Sequence, residues 1–508
     1  MKILLAAAAI LPLALTARAL DGQVGIHDPS TVIQCDGKYY VFGTGGGGLI
    51  SDDGWTWRGG AVRPGGGVAP DVIHLGDRYL VTYAGSGVHT MWTKTLDPNS
   101  PDFGFQDDSV VATGDLDCNA IDPSLLLDPA DGKLWMTYGS YIGFIRLVQL
   151  DPKTGKRVDP NSTPYNIAIN CEASEMICHD GWYYLLADHG SCCAGAASGY
   201  NIRVGRAQKV TGPFFDNMGV DMLQGGGKLF VGSGGRVVGP GHFGLLDLGD
   251  GVQKFSCHYE ADLDRGGASV LDIRPLLWKD GWPVAGDNFK EGTYEIESVR
   301  TGTALELAVE GLPVGGRRGR GGAGGFGRGG LGSRLGGQGA VGGTGETNAA
   351  GGRGARGGGG GGRGLFAGQG GVIPPQDVAQ VSTNWPAGNI DPRLANYLDQ
   401  AQQKWTLTAV TNAGGYPGSP YFKITVAGTD RALAATEDGE LVTLPAFTGK
   451  PEQLWRIDQL ADGSYRIMPK AGPKSNESAA LSAIGSSFAT LSKFEPESDK
   501  HRWVFKAP

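Results

Sequence analysis

Asp36-Gly37-Lys38-Tyr39-Tyr40-Val41-Phe42 sets a polar two-residue turn ahead of an aromatic, β-branched run. An Asp-Gly pair followed by such a run is a short-range signal for a hairpin and its second strand. The pattern returns at Gly76-Asp77-Arg78-Tyr79-Leu80-Val81-Thr82-Tyr83, at Asp131-Gly132-Lys133-Leu134-Trp135-Met136-Thr137-Tyr138, and at Asp180-Gly181-Trp182-Tyr183-Tyr184-Leu185. A weaker fifth copy is Asp250-Gly251-Val252-Gln253-Lys254-Phe255-Ser256-Cys257. Hairpins repeated at this spacing across residues 21–290, with no amphipathic helix between them, predict an all-β radial array of small sheets: a five-bladed β-propeller.

What precedes each hairpin points to chemistry. Asp28, Asp122, Glu172 and His242 stand nine or ten residues ahead of the turn glycines Gly37, Gly132, Gly181 and Gly251, and Asp71 stands five ahead of Gly76. If the blades are equivalent, these side chains converge on the central axis near one face. An ionised carboxylate buried without a partner is costly, so three acids at inner positions call for a reason. Inverting hydrolysis of a glycosidic bond supplies one: a carboxylic acid protonates the leaving oxygen while a carboxylate activates water on the opposite face of the sugar. A third carboxylate raises the acid's pKa by like-charge repulsion. Asp28, Asp122 and Glu172 fill these three places. Glu175 is a rival for the acid, but it lies only six residues from Gly181, and alternation turns it away from the face of Glu172.

Beyond residue 290 a second repeat appears, Gln403-Lys404-Trp405, Gln453-Leu454-Trp455 and His501-Arg502-Trp503, interleaved with short β-type segments. Three copies predict a threefold unit over 291–508 that cannot bury its Trp alone. Its first repeat is interrupted between Val309 and the remainder by residues 311–371, which hold 31 Gly and 8 Arg. No core can form from that composition, and it reads as a flexible insertion.

Glycine is 88 of the 508 residues, yet 11 Trp and 16 Tyr leave ample material for a core, which excludes disorder throughout. A net charge of −8 excludes a dedicated nucleic-acid binder. Met1-Lys2, an apolar run to Leu15 and Ala17-Arg18-Ala19 have the layout of a signal peptide over residues 1–19, so a secreted or periplasmic protein with no membrane span is expected. The seven Cys, namely Cys35, Cys118, Cys171, Cys178, Cys192, Cys193 and Cys257, have no spacing of a Cys–His nucleophile or zinc knuckle and read as structural, their pairing open.

The segments His27-Asp28-Pro29-Ser30, Ala69-Pro70-Asp71, Asn119-Ala120-Ile121-Asp122-Pro123-Ser124, Glu172-Ala173-Ser174, Cys192-Cys193 with Arg203-Val204-Gly205-Arg206, and Gly239-Pro240-Gly241-His242 together resemble glycoside hydrolase family 43, most closely its endo-arabinanase branch. The resemblance covers residues 21–290. It implies a secreted inverting enzyme acting on α-1,5-linked L-arabinan, with Asp28 as general base, Glu172 as general acid and Asp122 tuning and orienting the acid. It also implies His27 and Asp71 at the substrate, a structural role for Asp71 being equally open, and His242 beside a central calcium held largely through waters. Two positions depart from the family pattern: Val68 stands where a Trp usually precedes Ala-Pro-Asp, and Ser174 where Pro usually follows Glu-Ala. The same family admits exo-acting α-L-arabinofuranosidases, β-xylosidases and galactan β-galactosidases, because loops set the cleft shape. A non-catalytic carbohydrate-binding propeller is the alternative from another class, and the presence of all three carboxylates weighs against it. The C-terminal repeats resemble ricin-type β-trefoils, which implies a sugar ligand there or a structural appendage.

Overall fold

The computed structural model describes residues 20–114, 119–309, 385–471 and 478–508. The signal peptide expected at 1–19, Cys118 and the Arg-Gly stretch 311–371 lie outside the described residues. Residues 21–285 form five antiparallel sheets. The first contains Ile33–Cys35, Lys38–Phe42, Gly47–Ser51 and Thr56–Val62, with Asp21–Gly22 added parallel to its outer strand. The other four open with the inner strands Val68–Leu75, Ser124–Leu127, Glu172–His179 and Val237–Asp247, each sheet having four strands in sequence order. This is the five-bladed propeller that the hairpins predict.

The Asp-Gly pairs do what their chemistry suggests. Asp36 and Gly37 have φ of 49° and 77°, Asp180 and Gly181 47° and 75°, and Asp250 and Gly251 56° and 76°. Positive φ at both central residues is the hairpin turn whose twist matches the flanking strands. The ring closes through the N-terminal segment: Leu271 N–H donates to the Val24 carbonyl at 2.8 Å, and Ile26 N–H to that of Ser269 at 3.3 Å, in the last blade.

A second recurring conformation was not visible in the sequence. Asp28, Ala69, Asp122, Ala173 and His242, one per blade at the head of the inner strand, have φ between 46° and 54°. Non-glycine residues in this left-handed region cost of order 1 kcal/mol or more each and persist only where the surroundings hold them. In blades 2, 4 and 5 the pairing register shifts across this point. Two residues further along, Ser30, Asp71, Ser124 and Glu175 line a small axial chamber of about 20 Å³.

Residues 292–506 form the expected β-trefoil barrel. Trp405, Trp455 and Trp503 are fully buried, and each indole N–H donates to a backbone carbonyl, of Leu305, Leu433 and Leu481, at 2.7, 3.0 and 3.0 Å. Gln403 and Gln453 each donate to one carbonyl and accept one amide. His501 keeps the buried position in the third copy and pairs Nδ1 with Ser482 Oγ at 3.0 Å. Ala304–Leu307 pairs with Pro392–Ala395, so the insertion interrupts a hairpin that still forms. Among the described residues no helix is long and apolar enough to cross a membrane.

The Asp250-Gly251 turn of blade 5 docks on the trefoil. Ala461 N–H donates to the Gly251 carbonyl at 3.0 Å, Trp278 N–H to that of Ala461 at 2.8 Å, and Val252 packs with Leu460, Ala480 and Phe494. Beside it Asp458, fully buried, accepts from Arg456 Nε at 2.6 Å and Arg466 Nε at 3.0 Å, while the buried Lys254 ammonium donates to the Pro417 carbonyl. Burial works against the Asp458 charge, but Arg456, Arg466 and Lys254 hold its pKa down at about 2. A carboxylate depressed in the folded state contributes stability that is fully present above its unfolded pKa of about 3.9 and is lost as pH falls through the folded value. Asp458→Ala leaves these cations without their shared counter-charge and is expected to destabilise by about 3 kcal/mol. Its melting temperature at pH 7 should fall well below that of the parent, and the gap should narrow as both are titrated from pH 4 towards 2.

Candidate active site

Asp28 enters the site in the left-handed conformation, which turns its carboxylate towards the axis and its amide inward. The amide donates to His258 Nδ1 at 2.9 Å. That nitrogen is therefore the acceptor, and the fully buried His258 carries its proton on Nε2. Thr44 Oγ1 donates to Asp28 Oδ2 at 2.5 Å, while His27 Nδ1 and His242 Nδ1 lie 2.9 and 3.3 Å from Oδ1. His27 also reaches Glu260 Oε1 through Nε2, at 3.3 Å. Its hydrogen bond to Asp28, aided by both carboxylate charges and opposed by burial, pushes its pKa up to about 9. Burial pushes His242 down, so at neutral pH His27 is the charged imidazole beside Asp28. Burial alone would raise the Asp28 carboxyl, but His242, His27 and His258 outweigh it and hold the group well below the usual carboxylate range.

The other two acids behave oppositely. Glu172 opens the inner strand of blade 4, opposite Asp188, and is 7% exposed. Burial raises its pKa, the Asp28 and Glu260 charges add to the rise, and a hydrogen bond from the Tyr200 hydroxyl opposes it. Asp122 accepts the Ala173 amide at 3.2 Å, next to Glu172, and is pushed well up by burial and by the charges of Glu172 and Asp28. One acid is thus held ionised and two are held towards the protonated form around one space. Two carboxyl groups with pKa values driven apart are what paired acid and base chemistry requires.

Of the two readings open for Asp71, a substrate contact and a structural role, its contacts favour the second. Its carboxylate, 4% exposed, accepts the Thr31 amide at 3.1 Å and the Leu125 amide at 2.9 Å, and so stitches blades 1, 2 and 3 together. The cause is register: Asp71 lies two residues past its blade's left-handed position, at the level of Ser30 and Ser124. Glu175 lies at that same level, buried like Glu172, with its pKa raised first by burial and then by Asp71. The offset from the turn glycine does not capture this, because a register shift separates Glu172 from Glu175.

His242 sits over the axial chamber with its side chain 12% exposed, and its Nε2 is a buried nitrogen without a hydrogen-bond partner. Its amide donates to Asp188 Oδ2 at 2.9 Å. Chamber oxygens from Ser30, Asp71, Ser124 and Glu175, together with this free nitrogen, are a donor set that fits a hard cation such as calcium.

Sequence reasoning missed Thr44, Tyr141, Asp188, Tyr200, His258 and Glu260. The sparse histidines offered a signal, since three of the eight in the chain converge on Asp28. Tyr141 stands 49% exposed on the loop after Leu134–Tyr138, its hydroxyl pKa raised first by the Glu172 charge. Cys192 and Cys193 are disulfide-bonded to each other, and Cys35, Cys171, Cys178 and Cys257 are free thiols.

The family model for glycosyl hydrolases family 43 matches residues 44–283, and that for ricin-type β-trefoil lectin-like domains matches residues 401–483. The first match includes Asp71, Asp122, Glu172 and His242 and begins after Asp28. The extracellular exo-α-(1→5)-L-arabinofuranosidase ArbA of Cellvibrio japonicus is 33% identical over 51% of this chain and 86% of its own length. The extracellular endo-α-(1→5)-L-arabinanase 1 of Bacillus subtilis is 32% identical over 42% of this chain and 67% of its own. Among solved structures, an exo-1,5-α-L-arabinanase from a bovine ruminal metagenomic library is 32% identical, with 53% of this chain and 99% of that chain covered and a TM-score of 0.48.

Tyr200→Phe removes the hydroxyl that stabilises ionised Glu172, so the Glu172 pKa should rise further. The alkaline limb of the pH–rate profile is expected to move to higher pH with the fold unchanged. A limb that stays in place would show that this hydroxyl does not set the protonation of Glu172.

Proposed function

This chain belongs to glycosyl hydrolase family 43, and from that premise we propose that it hydrolyses the α-1,5 bonds of L-arabinan with inversion at the anomeric carbon. The observation that carries the reading is the contrast in protonation between Asp28 and Glu172. Glu172, kept towards its acid form by burial, protonates the leaving glycosidic oxygen, and the Tyr200 hydroxyl then stabilises the carboxylate that remains. Asp28, ionised among three imidazoles, removes a proton from the water attacking the anomeric carbon from the opposite face. Asp122 holds the Ala173 amide and thereby the backbone that carries Glu172.

The predicted leader and two relatives named extracellular support secretion. Exo rather than endo attack is the second reading, favoured by the likeness to the exo-acting Cellvibrio enzyme. For the trefoil we propose a sugar-binding role that keeps the enzyme near its polysaccharide. For the axis we propose calcium, with His242 as its protein nitrogen ligand and the chamber oxygens around it; bound there, it supplies positive charge beneath the carboxylates.

Incubation with debranched arabinan, followed by chromatography and proton NMR of the first products, should give arabino-oligosaccharides or arabinose released as the β-anomer. Arabinan, aryl arabinofuranosides, xylo-oligosaccharides and galactans all remaining intact while one still binds would leave a carbohydrate-binding protein. Glu172→Gln should lower kcat by about 10²–10⁴-fold with the fold retained, and near-normal activity in that variant would move the acid to Glu175. Exhaustive chelation should lower activity or melting temperature; if neither moves, His242 is a structural residue.

A further inference from the structure

Glu260 is 5% exposed in the strand Gln253–Asp262 of blade 5, and neither its family nor its place in the reaction accounts for it. A buried carboxylate costs several kcal/mol unless charges and hydrogen bonds meet it. Here the opposing charge is an imidazole of the site: Oε1 lies 3.3 Å from Nε2 of the charged His27, and the neutral His258 ring is next to it, its Nε2 3.8 Å away. A third contact comes from the backbone, the Cys193 amide donating to the same oxygen at 2.9 Å. That amide belongs to the residue bonded through sulfur to Cys192, so the disulfide-linked pair lies directly against Glu260 and His27.

The two imidazoles hold different parts of one residue. His27 presents Nδ1 to the Asp28 carboxylate at 2.9 Å, and His258 accepts the Asp28 amide on Nδ1 at 2.9 Å. Their rings stack on each other with centroids 4.6 Å apart. His27 is 32% exposed, and a ring that open can turn over unless its second nitrogen is held. We propose that Glu260 is a positioning residue for the general base, gripping the outer nitrogen of His27 so that its inner nitrogen fixes the carboxylate of Asp28, while the His258 ring stacked on His27 holds the Asp28 backbone. The chain of contacts runs Cys193 amide, Glu260, His27, Asp28. It rests on Asp28 being the base.

Glu260→Ala, His27→Ala and the double variant, assayed on linear α-1,5-arabinohexaose, decide the matter. Each single change should lower kcat between about ten- and a hundredfold through misplacement of the base, with KM nearly unchanged. Because the two residues act in series, the double variant should lose no more than the larger single loss. Glu260→Gln, which keeps an acceptor oxygen, should recover part of kcat. It also replaces Glu260→Ala in the cycle should the alanine variant melt early. Multiplying losses in the double variant, a rise in KM with kcat held, or no change in kcat would each overturn the proposal. Asp28→Asn separates the two levels: activity retained there sinks the assignment of the base, whereas a dead Asp28→Asn beside an unaffected Glu260→Ala sinks only the positioning role.

Discussion

The left-handed residue at the head of each inner strand is the constraint from which the site follows. In a regular strand, successive side chains alternate between the two faces of the sheet and would not all be delivered to one end of the axis. A single residue at φ near +50° breaks the alternation once per blade. Asp28, Asp122 and His242 occupy that residue in three blades, while in blades 2 and 4 it is the small Ala69 and Ala173. Glu172 reaches the same space from the position just before Ala173. Each such conformation costs energy, and the bonds that hold it are those that build the site: His258 on the Asp28 amide, Asp188 on the His242 amide, Asp122 on the Ala173 amide. Strain and function are held by the same contacts.

From that geometry comes the electrostatic division of labour. Burial works to raise the pKa of Asp28, Asp122 and Glu172 alike, so an ionised base needs specific opposing groups. At Asp28 the neighbouring histidines His242, His27 and His258 outweigh burial, and His27 keeps its charge because it lies between two carboxylates. Glu172 and Asp122 face other acids instead, which adds to burial rather than opposing it. Three chemically similar side chains thus reach two different states through their neighbours.

The hairpins, the blade number and the threefold tryptophans could be read from sequence because they depend on local chemistry: Asp-Gly turns, alternating aromatics and a fixed repeat. Asp28, Asp122, Glu172 and His242 were legible because each stands at nearly the same offset from its own turn glycine. The part played by Asp71 stayed open in the sequence, since its short offset hid a position two residues past the bend, where the side chain ties blades together. Glu260, His258 and Tyr200 were invisible for a different reason. They reach the site from second and third strands, whose distance from Asp28 along the chain, 230 residues for His258, leaves no local pattern. The Cys192–Cys193 bond could not be read either, because adjacency in sequence says nothing about which thiols meet.

Strand Val237–Asp247 links the two domains and also separates them. His242 lies within it at the site, while the turn at its end, Asp250-Gly251, is bonded to Ala461 of the trefoil. At about 3.3 Å per residue, the stretch between them puts the trefoil contact roughly 20 Å or more from the carboxylates. The contact is built on buried charge, with Asp458 between Arg456 and Arg466 beside Lys254, and on apolar packing around Val252, so it is a fixed joint. On the sugar-binding role proposed for the trefoil, a fixed joint would keep a second stretch of the same polymer attached to the enzyme, which raises the local concentration of cleavable bonds without any change at Asp28 and Glu172.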